Sequence, residues 1–470
     1  MEPYYFNSNI KGFSREERFR DRSYQGRDFQ GRNYTAKKKE SSGREPWQRS
    51  RSKVEEFHRK DSSIQTRCHN IDRTKNKRKT EYRLNPRQIN SKITKANSVN
   101  EILNVASNHH KNFDFINCST FFHKLAKQRG DFRNLQSHKV FQFVRDLTIE
   151  KINDFESRNI ASTALAFARL GIHDKELMTA LSSEARRKIR GFNSQGIAST
   201  ALAFATLGIH DERLMTALSG EAHHKVRGFN SQNIANTAWA FATLGIHDEE
   251  LMTALSCEAR HKVRGFNSQG IAITALAFAT LGIHDERLMT ALSCEGRDKV
   301  RGFNSQDIAN IAWAFAVFGL NLPKTLFDKM IAGSESLDKI EYVQQYHQVM
   351  LVLRGSDDYP NKTKILKKLA TSESPESSRT HQKISKCLKS NGFCVDNEYF
   401  VEGLFFDIYL KDYNLLIEVD GPSHFSSSGH YLGSSLIKNL IAKKLGFKLK
   451  RIKVSDWHER RSKILDEILV

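Results

Sequence analysis

A phenylalanine returns every 37 residues, at Phe155, Phe192, Phe229, Phe266 and Phe303, and each opens a segment of nearly the same sequence. Four units are complete, 155–191, 192–228, 229–265 and 266–302. A fifth, partial unit, 303–335, drifts after Phe318, and a degenerate earlier one is visible around Cys118 to Ala126. A fixed period in this range is the signature of a stacked array, in which each unit packs on its neighbours. It excludes a single compact globule for the middle of the chain.

Each unit reads as two helices. In the unit 192–228, Asn193 and Ser194 are N-cap types before the first helix, and Ile197, Ala198, Ala201, Leu202, Ala205 and Leu207 follow helical spacing. Gly208 closes that helix, because glycine tolerates the left-handed cap position. Asp211 caps a second helix that carries Leu214, Met215, Leu218, Ala222 and Val226. Lys225 and Arg227 stand in its last turn, where cations suit the helix dipole, before Gly228. The alanines of the first helix allow close helix approach. One pair cannot bury both faces, so stacking supplies the core.

Near identity makes the differences informative. Four residues after each phenylalanine stand Asn159, Gly196, Asn233, Gly270 and Asp307. Seven after stand Ser162, Ser199, Asn236, Ile273 and Asn310. Ten after stand Leu165, Leu202, Trp239, Leu276 and Trp313. Positions three apart share one stripe of a helix. A varying stripe on a constant frame is where a modular reader of single-stranded RNA carries one base per unit, asparagine pairing with a base edge and tryptophan stacking. Drift at solvent positions, with the tryptophans in the core, is the alternative. The histidines of the GIHD segments (His173, His210, His247, His284) read as structural. Lys188, Arg190, Lys225, Arg227, Lys262, Arg264, Lys299 and Arg301 recur at the ends of second helices. They either follow a phosphate backbone or compensate the helix dipole.

The charge lies elsewhere. The chain carries 74 lysines and arginines against 53 acids, a net charge of +21. Residues 1–100 hold 26 of the basic residues and 12 of the acids. Aliphatics are few there, and Phe13, Phe19, Tyr24, Phe29 and Tyr34 are set among arginines. Such a stretch cannot offset its ordering entropy by burial, so 1–98 is expected to be a disordered basic arm. It suits salt-dependent contact with nucleic acid, with aromatics able to stack on unpaired bases. Glu2, Glu16, Glu17 and Asp21 argue against a transit peptide, and the first ten residues lack the apolar core of a signal peptide. No apolar run reaches the ~20 residues of a membrane span. The six cysteines form no CxxC pair, which reads as reduced thiols without a zinc site. A bacterial cytoplasm or nucleoid is the expected location, with a mitochondrion or plastid as the eukaryotic alternative.

After the array (99–345), a turn-rich stretch, 346–375, reads as a linker. From 376 to 470 the expected order is a helix at Thr380–Lys389, strands at Phe393–Asn397, Gly403–Leu410 and Leu415–Val419, a helix at Leu436–Leu445, a strand at Lys448–Ile452 and a helix at Trp457–Leu469. Alternation puts Glu418 and Asp420 on one face of their strand, beside Asp407 on the preceding one. Three carboxylates at neighbouring strand ends suit Mg²⁺, which activates water and stabilises a phosphodiester transition state. His424 is placed to move a proton, and Lys438 to contact the scissile phosphate.

The segment Glu418, Val419, Asp420, Gly421, Pro422, His424, Phe425, followed by Leu445, Gly446 and Trp457, resembles the RAP domain. The helix pairs resemble octotricopeptide repeats, which commonly precede RAP domains in organellar RNA-binding proteins. FAST-kinase-like proteins have a similar architecture. The resemblance implies a multidomain chain: the basic arm, an α-solenoid of helix-pair repeats, and a C-terminal α/β domain of restriction-endonuclease-like fold. It implies an RNA-binding regulator of transcript stability, processing or translation. The carboxylates resemble those of mismatch-repair-type endonucleases, although Asp420 stands where the commonest nuclease pattern has lysine. Three functions stay open: single-stranded RNA binding alone, Mg²⁺-dependent RNA cleavage, and a scaffold binding protein partners through the solenoid.

Overall fold

The computed structural model describes residues 84–128, 134–334, 340–370 and 377–457, with 459, 463 and 464. Most of the basic arm, residues 1–83, lies outside the described residues. The chain divides into two compact units, Met1–Glu221 and Ala222–Val470.

The first unit is built from helix pairs: α1 (Pro86–Lys95) with α2 (Val99–His109), α3 (Phe115–Leu125) with α4 (Lys139–Glu150), α5 (Ser157–Leu170) with α6 (Lys175–Arg187), then α7 (Ser194–Thr206). Two pairs therefore precede residue 155, where sequence periodicity leaves one degenerate unit visible. Helix α1 falls inside the stretch 1–98. Asn85 and Gln88 form a capping box around Pro86, and Ile89 and Ile93 are buried, so the local signals there are those of a helix.

The first helices of successive pairs, α1, α3, α5 and α7, pack in sequence. Phe122 of α3 lies 4.9 Å from Phe167 of α5, ring to ring, in the seam they share, and 5.3 Å from Phe141 of α4. Within a unit the local chemistry is as its residues dictate. The Asn193 side chain accepts from Gly196 N–H at 2.8 Å. Gly208 takes φ +62° at the end of α7, and Asp211 accepts from Leu214 N–H at 3.0 Å. A serine then closes the unit. Ser157 Oγ donates to the Lys188 carbonyl at 3.3 Å. A Cβ on Gly191 would stand 2.8 Å from that hydroxyl, so glycine is needed at the junction.

The division between the units falls within α8 (Glu212–Lys225). The second unit continues with α9 (Ser231–Leu244), α10 (Glu249–His261), α11 (Ser268–Thr280), α12 (Glu286–Asp298), α13 (Ser305–Val317) and α14 (Lys324–Gly333). The same closure recurs as Ser231 to Lys262 and Ser268 to Lys299. A further pair, α15 (Ile340–Arg354) and α16 (Lys362–Ala370), occupies most of the stretch 346–375. Val343, Tyr346, Val349 and Met350 are buried on α15, which packs on α13, so an apolar face makes this stretch part of the helical layer.

The C-terminal domain follows: α17 (Arg379–Ser390), β1 (Val395–Val401), β2 (Leu404–Leu410), β3 (Leu415–Asp420), α18 (Gly433–Lys444) and β4 (Lys448–Lys453). The sheet order is β1-β2-β3-β4, antiparallel except for the β3–β4 pair, which α18 connects. The first strand begins two residues later than its composition suggests. Gly392, at φ +86°, and Phe393, whose N–H bonds the Leu388 carbonyl, serve instead to end α17. Ile384, Leu388, Ile408, Ile417, Val419, Ile452 and Trp457 form the core between α17 and the sheet. The final helix expected at Trp457–Leu469 lies largely outside the described residues. Among the described residues no helix is long and apolar enough to cross a membrane.

Asp285 combines two of the recurrent devices, accepting from Leu288 N–H at 2.9 Å and from the Ser256 hydroxyl. Asp285→Ala removes the cap of α12, and the expected loss is about 1–2 kcal/mol, read as a lower thermal midpoint. An unchanged midpoint would show that the cap contributes nothing in this setting.

Candidate functional site

The varying stripe starts at the helix caps. Asn159 accepts from the Glu156 N–H at 3.2 Å, and Asp307 from the Asn304 N–H at 3.3 Å, each folding back on its own helix start. At Gly196 and Gly270 a Cβ would stand 3.1 Å from the ring of the repeat phenylalanine, Phe192 or Phe266. Asn233 is buried beside the Asn230 cap. The position four after each phenylalanine is thus part of the capping geometry.

The next positions lie in or beside the seam between first helices. Ser162 meets His123 Nδ1 of α3 at 3.2 Å. Ser199, Asn236, Ile273 and Trp239 are half-buried, and Asn310 is buried. Trp313 is 8% exposed, and its Nε1–H donates to Gln348 Oε1 of α15 at 2.7 Å. No stripe residue is fully exposed.

Trp313 is also covered by the C-terminal domain, within the second unit. Helix α18 packs on α11, α13 and α15. Its first residue, Gly433, comes so close that a Cβ would stand 2.1 Å from the Ala279 carbonyl oxygen and 3.1 Å from the Trp313 ring. At Gly282, φ +69°, a Cβ would meet the Tyr431 carbonyl at 2.5 Å. Ser427 N–H donates to the Gly245 carbonyl at 2.9 Å, and His247 N–H to Ser427 Oγ at 3.0 Å. His247 and His430 meet edge to face, 4.9 Å between ring centres. One GIHD histidine therefore lies at this contact.

The repeated cations separate into two kinds. Lys188 Nζ donates to the Asn153 and Phe155 carbonyls and pairs with Glu184 at 2.8 Å. Lys262 and Lys299 repeat the pattern on the Arg227 and Phe229, and the Arg264 and Phe266, carbonyls, with Glu258 and Glu295. Arg190, Arg227, Arg264 and Arg301 stand on the short 3₁₀ turns that follow and are exposed.

In the C-terminal domain, β3 carries Glu418 and Asp420, both buried. Lys438 Nζ reaches the two Glu418 oxygens at 2.9 and 3.0 Å. Arg451, opposite Glu418 in the parallel register, holds Asp420 through two nitrogens, Nε to Oδ2 at 2.8 Å and Nη2 to Oδ1 at 2.5 Å. Tyr431 OH donates to Asp420 Oδ2 at 3.1 Å. His424 Nδ1 lies 3.1 Å from Asp420 Oδ1 and from Ser435 Oγ. Burial lowers the His424 pKa, against the pull of Asp420. For Lys438 burial disfavours the ammonium, but Glu418 and Asp407 outweigh it and the pKa is raised.

Asp407 stands where β2 and β3 part, beyond the Ile408↔Ile417 rung, and accepts the Val419 N–H at 2.6 Å. Burial and then the Glu418 charge raise its carboxyl to about 7. The fold brings Asp407, Glu418, Asp420, His424 and Lys438 into one region. The ligand atoms that gather within 4.8 Å of one another, among the described residues, belong instead to His381, Glu398 and Asp407. Glu418 and Asp420 already have counter-cations, so as a Mg²⁺ cage with Asp407 they fit poorly. Arg451, Tyr431, His381 and Glu398 also belong to this region, and no motif marks them in the sequence. For Arg451 the signal is a charge facing a charge across two parallel strands, EVD against KRIK.

Comparison with known families fits this architecture. The family model for the RNA-editing substrate-binding complex 6 protein matches residues 91–352, more than half of the chain. The chain belongs to this family. The RAP domain model matches residues 417–464, so the C-terminal domain is a RAP domain.

Two variants test the charge assignments. Burial raises Asp307 to about 6. An acid whose folded pKa is raised loses stability as pH climbs from its unfolded value, ~3.9, to that figure. Asp307→Asn, which installs the residue of two sister repeats, is expected to raise the melting temperature at pH 7.5 and to leave it unchanged at pH 4; equal effects at both would refute the burial argument. Arg451→Met strands a buried carboxylate and is expected to cost about 3–5 kcal/mol, most of it recovered in the Arg451→Met, Asp420→Leu double variant. Additive losses in denaturant unfolding would contradict the pairing.

Proposed function

We propose that this protein binds single-stranded RNA along its helical array and regulates the stability, processing or translation of its target, with the RAP domain supporting binding. The observation that carries this reading is the extent of the family match. It runs from within α1 to within α15 and ends before the RAP domain, in a family named for an RNA-editing substrate-binding complex. The function is RNA-related; binding by the array is our finer reading of it.

The exposed arginines on the 3₁₀ turns support a phosphate-contacting role. The neighbouring lysines, spent on carbonyls and glutamates, support dipole and carbonyl compensation instead. For base contact the residues we favour are the half-buried ones, Ser162, Ser199, Asn236, Ile273 and Trp239. Trp239 is half-buried and leaves part of its ring for a base to stack on, whereas Trp313 is covered by the RAP domain. We assign Asn159, Gly196, Asn233, Gly270, Asp307 and Asn310 to holding the helix starts and seam that present those positions. The basic arm would add salt-dependent affinity. The paired state of Glu418 and Asp420 favours a RAP domain that does not cut RNA. A family named for a complex also supports protein partners, and the resemblance to organellar RAP proteins favours a mitochondrion.

Binding to labelled single-stranded RNA pools tests this. Affinity is expected to fall steeply with salt. Arg264→Ala should weaken all sequences alike. Trp239→Ala should lose about 1–3 kcal/mol on preferred sequences only, as expected for one stacked base. Equal binding to every sequence by wild type and Trp239→Ala would remove base reading. No RNA binding at low salt, with protein partners retained, would leave the array a scaffold.

A further inference from the structure

We propose that the RAP domain holds a divalent transition-metal ion between α17, β1 and β2, with His381, Glu398 and Asp407 as its ligands. The three offer ligand atoms within 4.8 Å of one another, and they come from three separate elements. Glu398 faces Asp407 across the β1–β2 ladder, at a rung between Asn397↔Ile408 and Tyr399↔Phe406 where pairing is interrupted. Glu398 takes φ +48° there.

Charge balance points to a cation. Glu418 has Lys438, and Asp420 has Arg451. Among the described residues no lysine or arginine forms a salt bridge with Glu398 or Asp407; Asp407 feels the charge of Lys438, but that ammonium is held on both Glu418 oxygens. Their neighbour is His381, whose side chain is 3% exposed, with Nδ1 3.1 Å from Glu398 Oε1. The other ring nitrogen, Nε2, lies 3.2 Å from Asn397 Oδ1, an acceptor it can donate to, which leaves Nδ1 on the side of Glu398 as the ligand atom. A ring hydrogen-bonded through its outer nitrogen is also the usual second-shell support for a metal-bound histidine.

The carboxylate gives an independent sign. Glu398 Oε1 is engaged by Ser377 Oγ at 2.6 Å as well as by His381. Oε2 is buried and has no hydrogen-bond partner. A buried carboxylate oxygen without a donor is unfavourable unless a cation meets it. Two carboxylates, with an imidazole as the third ligand, match a +2 ion in charge. The imidazole selects an ion of the Zn²⁺ or Mn²⁺ kind over Mg²⁺, which prefers oxygen ligands and its own water. Bound there, the ion would tie α17 to the β1–β2 hairpin.

The site does not depend on RNA recognition, and its test needs no RNA. Full-length protein stripped with EDTA is titrated with Zn²⁺ and, separately, Mg²⁺, while binding and thermal midpoint are followed. One Zn²⁺ is expected to bind per chain and to raise the midpoint by several degrees, with no response to Mg²⁺ at equal concentration. Glu398→Gln and His381→Gln should abolish both effects. Zinc binding unchanged in both variants would assign the metal elsewhere on this cysteine- and histidine-containing chain and overturn the proposal. No binding by wild type would leave His381 and Glu398 a plain ion pair and overturn it equally. Should the variants fail to fold, X-ray absorption of the zinc-loaded wild type decides. One imidazole with oxygen ligands supports the site, and sulfur or several imidazoles in the shell refutes it.

Discussion

The contact between successive first helices is the constraint on which the array rests. A two-helix unit of 37 residues has too little interior to be stable alone, so its apolar surface must be completed by the next unit. The alanines of these helices let the axes approach, and the repeat phenylalanines fill the space behind them, fully buried. Everything else in the unit serves that contact. The asparagine and aspartate caps fix where each helix starts. The serine-to-carbonyl bond closes the unit, and it excludes any side chain at the junction glycine. A base-reading function is limited by the same contact, because the varying stripe runs along the seam. Only positions that the seam leaves half open can meet a ligand without dismantling the layer.

Charge is partitioned by the same economy. The array's repeated lysines satisfy carbonyls at unit boundaries, where an unpaired acceptor would be costly. The arginines two residues later are exposed, where a planar guanidinium suits a phosphate. In the RAP domain Lys438 holds the buried Glu418, and Arg451 holds Asp420 and also approaches Glu418. Removing either member of such a pair leaves a stranded charge, so these residues hold the domain's interior together whatever else they do. Asp407, at the parting of β2 and β3, lies outside that matching.

Much of this was legible in the chain itself. Period, caps and closing glycines give the helix pairs, and the EVDGP segment gives the RAP domain, because these features are local or repeated. Position-specific burial was not legible. Asn233 and Asn310 look like surface variation, yet they are buried. Much of 340–370 resembles a linker in sequence because its turns are rich in Asp, Pro and Asn, while its apolar faces belong to a helix pair that has lost the repeat's sequence. The partners of Asp420 were hidden for a related reason. Arg451 sits 31 residues away and is brought near only by the parallel crossover through α18. His381 and Glu398 share no motif with Asp407; only the folding of α17 against the sheet unites them.

The central claim is that the chain holds RNA and that its RAP acids are structural. Incubation of the purified protein with end-labelled single-stranded RNA, in Mg²⁺ and in EDTA, tests it most directly. The account predicts retained complexes and intact RNA in both conditions, for wild type and for Asp420→Asn alike. Fragments that require the metal and vanish in Asp420→Asn would contradict it and make the buried carboxylates a catalytic centre.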